Sequence, residues 1–403
     1  MDIATSASPE QVMSLFDRTV ATGLAHGTVT VLLGGQSFEV TTFRKESGYT
    51  DHRRPAEVQF VQGISEDLQR RDFTMNAIAR DLSGELTDPY GGYEDIKRGW
   101  IRCVGKAEER FEEDALRMIR AVRFTSLFGF KPMKSLWRGL LECRDGIKYI
   151  AVERIRSELE RMVLGPDPLR GFALLHRSGL LNQSKAFLPV RLSYLRELRN
   201  EELPLWDTLS QLPTEEPAQR WSLLLQALHV HADDAPAQLK AWTFPGAMIR
   251  MVTSLLHIEE AVQALMTRDG ARLLAEQNEQ VIDLREAWNS IELAFGKESV
   301  ELWLDRESIM IQTEVYRSGL QKEVRSVFLK KAWEWHNLIT VYQVSDLSIS
   351  AGEVMDLSGR RGGPWLGALM KQLLELTATG KIPNEHQALA QAAKERLNDE
   401  WAE

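Results

Sequence analysis

The chain has 403 residues, 43% hydrophobic and 27% charged, the balance of a globular protein with room for two to four domains. Its net charge of -9 excludes binding to nucleic acid through a global basic field, so any RNA contact must come from a local basic patch. Cys103 and Cys143 lie far apart with no His or Cys at ligand spacing, which argues against a zinc site or a disulfide framework and fits a reduced cytoplasmic compartment. Met1-Asp2-Ile3 lacks the basic start of a signal peptide, no apolar run reaches membrane-spanning length, and no membrane partner is expected.

Asp2-Ile3-Ala4-Thr5 reads as the end of a strand. Ser8-Pro9-Glu10-Gln11 supplies an N-cap, a proline at the first helical position and a capping box, so a short helix follows with Val12, Met13 and Phe16 apolar. His26 to Phe43 holds two β-rich runs around Gly34-Gly35 and reads as a hairpin. In its second strand Glu39 shares a face with Thr41 and Phe43, while Phe38, Val40 and Thr42 point the other way. A glutamate in mid-strand either sits on a wet face or is aimed at a metal. Arg44 to Val58 is polar and aperiodic, carries Gly48 and Pro55, and reads as a mobile loop. Asp51-His52-Arg53-Arg54 at its far end either lies in solvent or folds over a bound nucleotide. Arg70-Arg71-Asp72 followed by Asn76 packs polar groups into a segment ending in apolar Ala77-Ile78-Ala79, where a buried Arg–Asp pair would fit. Asp88-Pro-Tyr-Gly-Gly92 is a turn cluster.

The stretch Arg110 to Phe124 predicts an amphipathic helix. Ala115, Met118, Ile119 and Val122 fall on one face, and Asp114, Arg117, Arg120 and Arg123 step round the other, with Leu116 and Phe124 interrupting it. That polar half is either a solvated surface or a nucleotide-binding face. A carboxylate only accepts hydrogen bonds and a guanidinium only donates them. Cytosine and adenine each present an amino group beside an acceptor nitrogen, so Asp114 with Arg117 matches both bases on that edge. Guanine and uracil put a carbonyl where the amino group should be, which leaves buried polar groups unpaired. Arg120 and Arg123 are then left for phosphates. From Lys97 to Arg123 eight Lys/Arg stand against five Asp/Glu, a local basic excess.

After Val104 the pattern is helical. Val152 to Leu164 is a strong amphipathic helix, Gly165-Pro166 stops it, and Leu169 to Leu175 restarts one. Most tryptophans lie in the second half, where helical cores house them. His229 and His231 stand two residues apart and cannot share a helix face, so a non-metal reading is favoured there. Ser358 to Trp365 is a basic, glycine-rich turn with Pro364 placed to start a helix; it is either a phosphate-holding helix start or a simple C-cap turn.

Taken together, Asp2-Ile-Ala-Thr-Ser, His26-Gly-Thr-Val, Phe38-Glu-Val-Thr-Thr-Phe43, Arg70-Arg-Asp-Phe-Thr-Met-Asn-Ala77, Asp88-Pro-Tyr-Gly-Gly92 and Arg110-Phe-Glu-Glu-Asp-Ala-Leu-Arg117 closely resemble class II CCA-adding tRNA nucleotidyltransferases. These are relatives of bacterial poly(A) polymerases in the polymerase-β-like superfamily. The likeness is strong over 1–180 and continues weakly through Ala351-Gly-Glu-Val-Met-Asp-Leu357 and Gly363-Pro-Trp-Leu-Gly367.

The resemblance implies an α/β nucleotidyltransferase head, incomplete at its N-terminus, followed by an all-α neck, body and tail. The expected boundaries are 1–104 for the head, 105–195 for the nucleotide-selecting neck, 196–295 for the body and 296–403 for a tRNA-binding tail. It implies addition of C, C and A to the tRNA 3′ end from CTP and ATP, with Mg²⁺ and no template, by a monomer or homodimer in the cytoplasm. Asp2 matches a metal-binding aspartate and Glu39 the third carboxylate. Arg71 matches a nucleotide-binding arginine, Asp114 and Arg117 the base-reading pair, and Arg120 and Arg123 further nucleotide contacts. Segment 44–58 is one that CC-adding relatives are expected to lack. The family motif carries two aspartates one residue apart, and Met1 stands at the residue between them. The first aspartate, and the glycine pair and arginine upstream that cradle the triphosphate, are therefore missing. The expectation is a chain shortened at its N-terminus, by a late start or by loss, with poor metal binding and an unpaired sheet edge. The competing expectations are a CC-adding enzyme, a poly(A) polymerase, or an inactive tRNA-binding remnant.

Overall fold

The structure is a computed structural model and describes residues 2–50, 54–186, 195, 203–273, 278–313, 315–316 and 319–399. The chain forms two compact units, 1–197 with 241–243, and 198–240 with 244–403. An α/β head followed by helices is what the fold contains. None of its described helices is long and apolar enough to cross a membrane.

The first unit opens with β1 (Asp2–Thr5), α1 (Pro9–Leu15), β2 (Thr19–Gly23), β3 (Thr28–Leu33) and β4 (Gln36–Thr42). Ser8 caps α1 with the reciprocal Gln11 capping box, and Pro9 begins the helix. Gly34 and Gly35 turn the β3–β4 hairpin with φ of +59° and +78°, the two positive values that a tight primed turn requires. The strand order is β1-β4-β3-β2, with β1 parallel to β4 and at one edge of the sheet. Val29, Val31 and Val40 pack on Val12 of α1, so one face of the sheet is core and the other is open.

Where a loop was expected over 44–58 stands a two-stranded antiparallel ribbon, β5 (Arg44–Thr50) and β6 (Arg54–Phe60). Its strands lack the alternation of apolar and polar residues that betrays a half-buried strand, which is why sequence periodicity misses it. The ladder and ion pairs at its base support it: Glu46 lies 2.7 Å from Arg44 and 3.3 Å from Arg70. Of Asp51-His52-Arg53-Arg54, expected either in solvent or over a bound nucleotide, Arg54 begins β6 opposite Thr50, and 51–53 lie outside the described residues.

Next come α2 (Ile64–Gln69), β7 (Ala79–Arg80), β8 (Leu86–Thr87), α3 (Gly92–Arg98), β9 (Trp100–Ile101), α4 (Ala107–Glu113), α5 (Leu116–Phe128), β10 (Lys131–Pro132), α6 (Lys134–Cys143), α7 (Val152–Val163) and α8 (Pro168–Ser178). The Asp88 carboxylate caps α3 by accepting from Gly92 and Tyr93 N–H. Gly92 is required because a Cβ there would stand 2.0 Å from the Thr74 carbonyl oxygen.

The single helix expected over 110–124 is two helices. Asp114 is extended, at φ -143° and ψ 104°, and separates α4 from α5. Its carboxylate accepts from the Leu116 N–H and so starts α5 as a cap would. The predicted apolar face holds: Ala115, Met118, Ile119 and Val122 are all buried, against a core that includes Ile155 and Leu159 of α7.

The second unit contains α9 (Leu203–Leu209), α10 (Pro217–Ala227), α11 (Ala235–Ala241), α12 (Gly246–Leu273), α13 (Asn278–Phe295), α14 (Lys297–Gln312), α15 (Gly319–His336), α16 (Ala351–Ser358), α17 (Pro364–Ala378) and α18 (His386–Asp399). Helices α10, α13, α14 and α15 pack on the long α12. Trp288 is fully buried among Trp303 and Phe328, with ring centres 5.9 and 5.4 Å away. Inside this apolar layer lies an ion cluster. Glu259 accepts from Arg325 at 2.9 Å, Arg306 at 3.1 Å and the Trp303 indole at 3.0 Å. Glu307 accepts from Tyr316 at 2.8 Å and Arg325 at 3.3 Å. Burial outweighs the pull of Arg325 on Glu307, and with Glu259 nearby its carboxyl is pushed up to about 7.

A carboxyl whose pKa is raised in the folded state is stabilising below its ordinary 4.5, and that contribution is lost as pH rises through the folded value. Thermal or urea unfolding should therefore show stability falling from pH 5 to pH 8. Glu307→Gln should remove most of that slope, a difference on the order of 3 kcal/mol at pH 8. An unaltered slope in the variant refutes the assignment to Glu307.

Candidate active site

The open face of the head sheet builds a cavity of about 580 Å³. Parallel pairing puts Asp2 beside Glu39 and Ile3 beside Val40. Side chains alternate along a strand, so Ile3 and Val40 face the core while Asp2 and Glu39 project together into the cavity. Neither carboxylate makes an ion pair with another described residue, and both are exposed. Adjacent unpaired carboxylates are hard oxygen donors, and they fit a divalent cation that completes its shell with water and phosphate oxygens. Among the described residues no larger cluster of His, Cys, Asp or Glu offers a metal site.

The opposite wall is basic. Arg71 lines the same cavity, and its Nη2 donates to Asp67 Oδ2 at 2.9 Å. Arg70 also binds Asp67, through Nη2 at 2.7 Å and Nε at 3.0 Å. Burial by itself would raise the Asp67 carboxyl, but the charges of Arg70 and Arg71 outweigh it and hold the group below the usual carboxylate range. The Nε of Arg71 is buried without a hydrogen-bond partner.

Asp114, Arg117, Arg120 and Arg123 do not line that cavity. Their guanidiniums and carboxylate are turned onto fixed partners rather than into solvent. Asp114 takes both terminal nitrogens of Arg154, at 2.7 and 3.2 Å, besides capping α5. Arg117 binds Glu113 at 2.5 Å and donates at 3.1 Å to the carbonyl of Arg70, whose own residue lines the cavity. Arg120 binds Asp72 at 2.7 Å, and burial of Asp72 is outweighed by Arg120 and the Asn76 amide, which keep it ionised below the usual range. Arg123 is 6% exposed and binds Glu158 at 2.5 Å. Asp2, Glu39 and Arg71 thus share one cavity, Asp114 and Arg117 stand together beyond it, and Arg123 is buried against Glu158.

Several site residues escape the sequence reading. Asp67 precedes Arg70 and Arg71 by three and four residues, the spacing at which helical side chains meet, and this spacing was the available signal. Arg154 and Glu158 sit one turn apart on α7, and the same rule puts them on one face; only packing of α7 on α5 reveals what they hold. The buried Arg–Asp contact expected within 70–72 is real in kind but uses other partners, Asp67 for the arginines and Arg120 for Asp72.

Three families match successive parts of the chain: "Poly A polymerase head domain" over 1–102, "Probable RNA and SrmB- binding site of polymerase A" over 129–188, and "tRNA nucleotidyltransferase domain 2 putative" over 212–393. The CCA-adding enzyme of Anoxybacillus flavithermus is 35% identical over 405 residues, covering 100% of this chain and 87% of that relative. The CCA-adding enzyme of a Geobacillus species is 35% identical over 401 residues, with the same coverage of 100% and 87%. The crystal structure of the Bacillus stearothermophilus CCA-adding enzyme in complex with CTP superposes with a TM-score of 0.73 at 30% identity, covering 100% of this chain and 89% of that one. The likeness to the two enzymes runs over the whole chain at 35% identity, and this chain belongs to the CCA-adding enzyme family of tRNA nucleotidyltransferases.

Proposed function

We propose that this protein adds C, C and A to tRNA 3′ ends in the cytoplasm, using CTP and ATP and no nucleic-acid template. The observation that carries the reading is the cavity that two exposed carboxylates, Asp2 and Glu39, share with Arg71. It is joined by full-chain similarity to enzymes of that name. The ribbon over 44–60 further favours the complete CCA reaction over CC addition.

In this reading Asp2 and Glu39 hold Mg²⁺, which when bound neutralises phosphate charge and makes the 3′ hydroxyl a better nucleophile. The Arg71 guanidinium donates to a triphosphate oxygen, with Asp67 fixing its plane. The tRNA 3′ oxygen bonds to the α-phosphorus as the bond to pyrophosphate breaks. Asp114 and Arg117 read the base. The Asp114 carboxylate has about four acceptor sites; Arg154 and Leu116 occupy both sides of Oδ1 and one of Oδ2, which leaves Oδ2 to accept an amino proton from cytosine or adenine. Arg154 and Glu113 hold the two side chains rigidly, so discrimination costs no ordering of the site. Arg120 and Arg123, each tied to a buried carboxylate, anchor α5 under the nucleotide.

Incubation of the protein with Mg²⁺, CTP, ATP and tRNA lacking its terminal CCA should yield, on sequencing, tRNA ending in CCA, and chelation should abolish the addition. Tails of A identify a poly(A) polymerase, addition of CC alone a CC-adding enzyme, and no addition a tRNA-binding remnant. Asp114→Ala should relax base choice, raising UTP and GTP misincorporation by about 100-fold relative to CTP while leaving metal affinity unchanged. Retained rejection of both wrong nucleotides contradicts base reading by Asp114.

A further inference from the structure

Helices α16, α17 and α18 close on a core of their own, in which Val341, Ile349, Val354, Leu373 and Leu389 are buried together. Leu293 of α13 packs against that core. Beside Leu293 the seam is polar: Lys381 stands 2.6 Å from Glu286 of α13, and Tyr342 donates at 3.2 Å to Glu292 Oε2, also of α13. His336, the last residue of α15, lies at the same seam and is 3% exposed. Its Nδ1 stands 2.9 Å from Glu292 Oε2 and its Nε2 3.3 Å from Glu301 Oε1 of α14. Both ring nitrogens thus face carboxylates. A neutral imidazole has one N–H and one lone pair, so one of the two contacts would set lone pair against lone pair. Both become hydrogen bonds only when the cluster holds one further proton, on the imidazole or on a carboxyl.

We propose that one proton shared among Glu292, His336 and Glu301 latches the α16–α18 body to α13 and α14, and that its loss as pH rises releases that body. Glu292 is fully buried, and burial pushes its carboxyl up against the pull of His336, which suits a site that retains a proton. Burial likewise holds the Tyr342 phenol well above its usual range, so it stays a donor to Glu292. Among the described residues the charged and titratable groups at the cluster are Glu292 from α13, Glu301 with Lys297 at 3.8 Å from α14, and Tyr342 from the segment after α15. Opening the seam would return His336 to water, where an imidazole loses its proton near pH 6.5. Above that pH opening releases the proton, and the opening constant grows by up to about tenfold per pH unit; below it, the closed and open states hold the same number of protons and the constant is flat.

Hydrogen-exchange mass spectrometry of the full chain between pH 6 and pH 8.5, corrected for the intrinsic pH dependence of exchange, reads the latch without requiring turnover. Exchange over 337–350 should accelerate by about tenfold per pH unit above pH 6.5, while 252–262 in α12 stays protected. Glu301→Gln and Glu292→Gln each give one ring nitrogen an amide N–H, so a neutral His336 is satisfied on both sides without the extra proton. Either variant should therefore flatten the acceleration over 337–350. The Glu301 side chain is 43% exposed, so Glu301→Gln stays decisive where Glu292→Gln fails to fold. Glu307→Gln, which acts on global stability, should leave the acceleration in place. Flat exchange over 337–350 in the unaltered protein overturns the latch. So does an acceleration that survives Glu301→Gln, or one that 252–262 shares in full, which would mark global unfolding instead.

Discussion

The matching of arginines to buried and half-buried carboxylates is the interaction on which the first unit depends. Asp67, Asp72, Glu113 and Glu158 hold Arg70 and Arg71, Arg120, Arg110 and Arg117, and Arg123 and Arg161. A nucleotide site needs several guanidiniums close together, and their mutual repulsion would otherwise scatter them. Asp67 and Asp72 are nearly inaccessible, and each stays ionised because its guanidinium neighbours outweigh the cost of desolvation. Leaving one member of such a pair alone in the interior costs about 3–5 kcal/mol. The carboxylates therefore bind the elements that carry them: Asp72 ties the head segment to α5, and Glu158 ties α7 to α5.

The head sheet divides its labour by face. One register decision, Asp2 beside Glu39, sends Ile3 and Val40 into the core with Val12 and leaves the carboxylates side by side in the cavity. A slip of one residue would exchange the two sets, burying charges and exposing the apolar row. Core burial thereby fixes the spacing of the carboxylate pair. Neither carboxylate has an ion-pair partner among the described residues, in contrast to the matched carboxylates under α5.

The second unit applies the same pairing to a purely structural end. Glu259, Arg306, Arg325 and Glu307 sit in a helical core beside Trp303 and Tyr316, with every carboxylate bonded to at least two donors. Such a cluster admits one helix arrangement, because shifting α12, α14 or α15 along its axis would strand a charge in apolar surroundings. Burial pushes the Cys103 thiol of the first unit up to about 12, so it is inert packing rather than a nucleophile.

By itself the sequence determined what local rules govern. The Ser8 cap, the Gly34-Gly35 hairpin, the stop at Gly165-Pro166 and the apolar face of 115–122 are each decided by residues within a turn or two of one another. The family resemblance put Asp2 and Glu39 in one site, but the parallel pairing that stands them side by side is not legible in local sequence. Only the tertiary structure decided the partners of the charged residues. Asp114 appeared as one step of a polar helical stripe, yet it breaks the helix, because its carboxylate is claimed by Arg154 from an element 40 residues away and by the Leu116 N–H. The ribbon over 44–60 was likewise invisible, since wet strands carry no hydrophobic period and their hydrogen bonds are made by backbone atoms common to every residue. Periodicity reports which face is apolar; the sign and distance of a charge's partner depend on packing between elements, which no local pattern encodes.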